Sequence, residues 1–121
     1  MSDAPMPTID VTEAERRLRE DPDRPLLLDV REIGEFAAVR APGAVLVPTS
    51  SFAARVAELP SDRSIMVICH LGGRSAAVAG FLLRAGRSDV VNVAGGMDAW
   101  ERAGLPVRRG PTEPGEGDLP G

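Results

Sequence analysis

The 121-residue chain has no lysine and no tyrosine, and only one cysteine, one histidine, one tryptophan and three phenylalanines. A single cysteine cannot close an internal disulfide, so its thiol is either inert packing or reactive chemistry. One cysteine with one histidine does not make a four-ligand zinc site. A net charge of −4 with no basic block argues against nucleic-acid binding, and the scarcity of aromatics argues against base stacking. No apolar run approaches the ~18 residues needed to span a bilayer. The first ten residues carry neither a basic nor an apolar signal segment. A cytoplasmic protein is therefore expected, in a compartment where the thiol stays reduced.

The remainder reads as an ordinary globular domain, 43% hydrophobic and 26% charged, long enough to bury a core without staples. Residues 1–7 hold two prolines and small residues and are expected to be a loose lead-in. A short strand near residues 8–11 leads into a helix to residue 20, with Thr12 and Glu15 as a capping box. Apolar, β-branched runs at 26–30, 44–47, 64–68 and 90–93 predict short strands buried on both faces. Helices are predicted between and after them at 32–39, from Ser50 or Ser51 to 59, at 74–85 and at 97–103. The alternation implies an α/β domain over residues 8–107, with a mainly parallel sheet and helices on both faces. From residue 108 the composition turns to Pro, Gly and acidic residues, which predicts a flexible tail over 108–121.

The only cysteine ends one of these strands: Ile65-Met66-Val67-Ile68-Cys69, then His70-Leu71-Gly72-Gly73-Arg74-Ser75 opening a helix. Loop N–H groups and a helix N-terminus converge on such a point and favour negative charge there. Gly72 and Gly73 permit the conformations that turn N–H groups inward. Only a few per cent of an ordinary thiol is ionised at about pH 7, and lowering its pKa by two units requires roughly 2.7 kcal/mol. Several charge-assisted hydrogen bonds can supply that. Taken alone, the pattern fits equally well a small buried hydrophobe at a strand end. Ligands in open parallel sheets bind beyond the C-terminal strand ends. That rim gathers Cys69, Asp29, Arg31 and the 92–96 segment.

Several stretches together resemble the rhodanese family of sulfurtransferases. They are Leu27-Leu28-Asp29-Val30-Arg31-Glu32 with Glu35-Phe36, Pro42-Gly43-Ala44, Cys69 through Ser75, and Gly95-Gly96-Met97-Asp98-Ala99-Trp100 with Gly104-Leu105-Pro106-Val107. The resemblance covers about residues 9–107 and implies a three-layer fold with a five-stranded sheet. It implies that Cys69 takes a sulfane sulfur from a donor such as thiosulfate, and passes it from a persulfide to cyanide or a thiol. Backbone N–H groups of His70, Leu71, Gly72, Gly73, Arg74 and Ser75 would cradle that persulfide, with no metal or organic cofactor. A small sulfur donor and a thiol or protein acceptor are the implied partners. Related phosphatases and arsenate reductases use Cys-x5-Arg; here Arg74 follows Cys69 after four residues, and the shorter loop suits a sulfur atom.

The side chains carry weaker expectations. His70 can attract an anionic donor, or be an exposed side chain whose backbone alone matters. Arg74 is expected to orient the loop by pairing with a carboxylate, Asp29 being the candidate. Asp29 and Arg31 resemble the family's Asp-x-Arg pair, and Glu35 lies near the entrance or on a solvated helix face. Ser75 can simply cap the helix. Gly95 and Gly96 allow a close turn behind the loop, and Trp100 and Phe36 read as core. Where the family often has Gly-His-Ile before Pro-Gly-Ala, this chain has Val39-Arg40-Ala41, which puts local packing there in doubt. A sulfurtransferase, a persulfide carrier and a non-catalytic binding domain are the competing functions. The retained Cys69 argues against the last.

Overall fold

A computed structural model of the chain describes residues 6–120. The strands β1 (Thr8–Ile9), β2 (Leu26–Asp29), β3 (Val45–Leu46), β4 (Ile65–Ile68) and β5 (Val90–Val93) form one sheet, ordered β1-β5-β4-β2-β3. Every pairing is parallel, with Leu28 beside Val45 and Val67, and Val67 beside Asn92. Between and after the strands come α1 (Val11–Glu20), α2 (Ile33–Ala38), α3 (Thr49–Arg55), α4 (Gly73–Arg84) and α5 (Gly96–Arg102). This is the expected α/β architecture, with a five-stranded sheet and helices on both faces. None of the helices is long and apolar enough to cross a membrane, among the described residues.

The period-two alternation of side chains along a strand builds the two halves of the core. Leu26, Leu28 and Val30, with Ile65, Val67 and Cys69, pack with Phe52 of α3 and Val78 and Leu82 of α4. Their neighbours Leu27, Met66 and Ile68 pack on the other face with Val11, Ala14, Phe36, Met97 and Trp100. Cys69 thus continues the β4 alternation onto the α3–α4 side, at the end of the central strand. The helices after β2 and β4 leave to opposite faces, so a crevice opens between those strand ends.

Three expectations change. Asp10, not Thr12, caps α1: its carboxylate accepts from the Glu13 N–H at 2.8 Å, and Thr12 already lies inside the first turn. Residues 1–5 of the expected lead-in lie outside the described residues, whereas Pro7 accepts a hydrogen bond from the β5 Asn92 N–H at 2.8 Å. Met6 packs against the core.

The tail also differs from expectation. Leu119 packs against the core, and polar contacts hold the segment before it. Arg40, only 1% exposed, donates to both Glu116 carboxylate oxygens and to the Gly110 carbonyl at 2.7 Å. The Arg40 guanidinium lies 5.6 Å from the centroid of the Phe36 ring. Arg40 and Arg108 form an antiparallel bridge. β3 is an edge strand, and its outward Leu46 N–H is taken by the Gly117 carbonyl at 2.7 Å. Arginine in Val39-Arg40-Ala41 and an acidic tail therefore form one unit. Removing one partner of a buried ion pair is costly, so Arg40→Ala is expected to lower the unfolding free energy by about 3 kcal/mol. Urea denaturation checks this, and a double Arg40→Met, Glu116→Leu variant should recover part of the loss.

Candidate active site

The loop that surrounds Cys69 is shaped from behind. Met97 and Asp98, in the first turn of α5, donate their N–H groups to the carbonyls of Cys69 (2.7 Å) and His70 (3.0 Å). In a trans peptide the C=O and the following N–H point in opposite directions. Drawing those carbonyls toward α5 therefore aims the His70 and Leu71 N–H groups the other way, into the loop. The approach requires Gly96: a Cβ there would collide with the carbonyl oxygens of Cys69 and His70, and its φ of +57° is left-handed. The expected close turn at Gly95-Gly96 is this contact. Trp100, 1% exposed with its indole N–H donated to the Pro106 carbonyl at 2.8 Å, anchors α5 in the core.

Within the loop, Gly72 adopts φ +112° as the residue before α4, and its N–H donates to Cys69 Sγ at 3.0 Å. Ser75 lies inside the first turn rather than capping the helix. It is fully buried, with its hydroxyl 3.2 Å from Sγ and 3.2 Å from the Gly72 carbonyl. A hydroxyl has one proton to give. With a thiolate the proton points at sulfur; with a thiol it can turn to Gly72 while the S–H donates to Oγ. Burial pushes the Cys69 thiol up. Hydrogen bonds from the Ser75 hydroxyl and from the N–H groups of Ser75, Gly72 and Leu71 outweigh that, and hold it below its ordinary value. Asn92, a residue that sequence reading placed only at the rim, donates Nδ2–H to the Gly72 carbonyl at 3.4 Å, backing the loop from β5.

The supporting residues are rearranged relative to expectation. Arg74 does not pair with Asp29. It grips Glu35 with two nitrogens, at 2.7 and 2.8 Å, from the opposite side of the crevice. Asp29 is occupied by Arg31, at 2.8 to 3.1 Å, both almost completely buried. Arg31 reaches on to the carbonyls of Glu35 (3.2 Å) and Val39 (2.6 Å), pinning α2 to the end of β2. Glu35 Oε1 also accepts the Glu32 N–H at 3.0 Å. Glu35 is thus fixed from three directions, and the Arg74 guanidinium, outweighing the cost of burial, holds its carboxyl down at about 2. His70 and Leu71 are exposed, and it is the His70 carbonyl that is engaged. Gly73 is the first residue of α4.

A buried thiol ringed by hydrogen-bond donors, at the switch point of a parallel sheet, is the geometry of a cysteine-centred α/β domain. The chain belongs to the rhodanese-like domain family, whose profile matches residues 10–103. It is similar to a sulfurtransferase of Allochromatium vinosum, 35% identical over 82% of this chain and 92% of that protein. It is also similar to the thiosulfate sulfurtransferase GlpE of Actinobacillus succinogenes, 37% identical over 68% of this chain and 74% of that protein. Among solved structures, a rhodanese-related protein from Thermoplasma volcanium superposes with a TM-score of 0.77 at 29% identity, covering 84% of this chain and 97% of that one.

Two measurements probe this geometry. Ser75→Ala removes a donor to the thiolate, so the pH midpoint of Cys69 alkylation by iodoacetamide is expected to move up. Glu35 has a folded pKa below its unfolded value of 4.5. Its stabilising contribution is therefore complete above 4.5 and is lost as pH falls from there toward 2. Carboxyl-carbon NMR should place the Glu35 titration near 2 in the parent and move it up toward 4.5 in Arg74→Met.

Proposed function

We propose that this protein is a sulfurtransferase that carries a sulfane sulfur on Cys69. The observation that carries this reading is the placement of Sγ, 3.0 Å from the Gly72 N–H and 3.2 Å from the Ser75 hydroxyl, at the start of α4. The names of its relatives support the same class of reaction. The thiolate attacks the terminal sulfur of the donor, and the donor's S–S bond breaks with its electron pair on the leaving group. From thiosulfate the leaving group is sulfite, and Cys69 retains a persulfide anion. The outer sulfur then takes the place for which the loop donors are already oriented, so little reorganisation is needed. Cyanide or a thiol attacks that outer sulfur and regenerates the thiolate. This chain has no second cysteine, so no internal disulfide can discharge the persulfide and the acceptor comes from outside.

The loop length fits the same reading. Arg74 is turned out to Glu35, and Ser75 is the side chain at the sulfur. The pocket floor is thus made of backbone N–H groups and one hydroxyl, suited to a single soft sulfur. Phosphate would require a guanidinium facing the thiol.

Mass spectrometry of the intact protein after incubation with sulfane donors is the direct test. A gain of one sulfur, removed by a thiol reductant and absent in Cys69→Ala, is expected. A protein left unmodified by thiosulfate and by every organic persulfide tried contradicts the proposal. Steady turnover with cyanide assigns an enzyme; ready loading with slow turnover assigns a carrier.

A further inference from the structure

We propose that the mouth of the Cys69 site selects a persulfide borne on an uncharged organic body over a small dianion such as thiosulfate, with Leu71 as the residue that sets the choice. The inference rests on the sulfur-transfer reading and names its donor class.

A dianion entering the site needs cations or free donors at the mouth, because the reacting sulfur it meets is itself negative. The two arginines that follow the adjacent β2 and β4 strand ends are both committed. Arg74 spends two nitrogens on Glu35, at 2.7 and 2.8 Å. Arg31 is 2% exposed and divided between Asp29 and two carbonyls. A third carboxylate stands on the same rim. Glu32 is exposed and accepts from the hydroxyls of Ser50 (2.8 Å) and Thr49 (3.4 Å), with no guanidinium among its hydrogen-bond partners. The segments after β2 and β4 thus set Asp29, Glu32 and Glu35 against Arg31 and Arg74. The loop's side chains offer little to redress the balance. His70 exposes an imidazole that, when neutral, donates at most one hydrogen bond. Leu71 is 67% exposed and presents only hydrocarbon. Gly72 and Gly73 present no side chain.

The same surface suits a donor of the form R–S–SH. Its carbon body can rest on Leu71 and gains from leaving water. It brings no second charge toward the carboxylates. The Cys69 thiolate attacks the terminal sulfur, the S–S bond breaks with its electron pair on R–S⁻, and Cys69–S–SH keeps the proton. Neither an oxidant nor a reductant is required.

The test follows Cys69 loading by rapid-quench mass spectrometry, using thiosulfate and the persulfide of N-acetylcysteine methyl ester. Each rate is divided by the same donor's rate with free 2-mercaptoethanol, which removes intrinsic reactivity. The normalised persulfide rate is expected to exceed that of thiosulfate by at least about tenfold, the low end of electrostatic rate effects. Added salt should speed thiosulfate loading, because it screens like charges. Leu71→Arg should raise thiosulfate loading about tenfold and make added salt slow it. Glu32→Gln, at an exposed position, should shift it the same way by a smaller factor. Equal normalised rates, a parent slowed by salt, or a Leu71→Arg variant with unchanged selectivity would overturn the inference. Loading by neither donor, in parent or variants, would instead sink the sulfur-transfer reading beneath it.

Discussion

Two hydrogen bonds from the first turn of α5, from Met97 N–H to the Cys69 carbonyl and from Asp98 N–H to the His70 carbonyl, govern the site. They fix two peptide planes with their oxygens outward. What remains inside the loop is a set of N–H groups around one sulfur. The electrostatics of the thiol follow from this backbone arrangement more than from any neighbouring charge. The bonds exist because Gly96 lets α5 come close enough, and α5 stays there because Trp100 and Met97 are buried beneath it.

The charged residues act one step further out. Arg31 binds Asp29 and the carbonyls of α2, which positions Glu35, which in turn holds Arg74 and the start of α4. The chain of contacts crosses the crevice between the strand ends and ties its two walls together. It also commits Arg31 and Arg74, the arginines of those two walls, to carboxylates. Just past the end of α2, Arg40 and Glu116 lay the C-terminal segment along the β3 edge. That edge would otherwise be open to another strand.

Much of this was legible in the sequence. Apolar runs of strand length fixed the parallel sheet, and the run ending in Cys69, followed by glycines and a helix, located the site. What was misread has physical causes. Asp29 and Arg31 are two apart on an extended segment, so they share a side and find each other first; Arg74 had to look elsewhere, and Glu35 was a turn into the next helix. The ordered tail was invisible to composition, because a few specific polar contacts and a single apolar residue, Leu119, hold it. Its one signal was Arg40, a charge amid apolar neighbours that needed an anion from somewhere. Thr12 and Glu15 have the spacing of a capping box but lie two residues too late, and Asp10 is the cap.

Hydrogen bonds from the Ser75 hydroxyl and from the Ser75, Gly72 and Leu71 N–H groups hold the Cys69 thiol below its ordinary value, and α5 orients the Leu71 N–H among them. With one cysteine and no tyrosine in the chain, thiolate absorbance in the ultraviolet can be followed against pH without tyrosinate interference. The parent is expected to ionise below the ordinary thiol value, and Gly96→Ala, still folded by circular dichroism, at a higher pH than the parent. Coincident midpoints in the two proteins would contradict this role of α5.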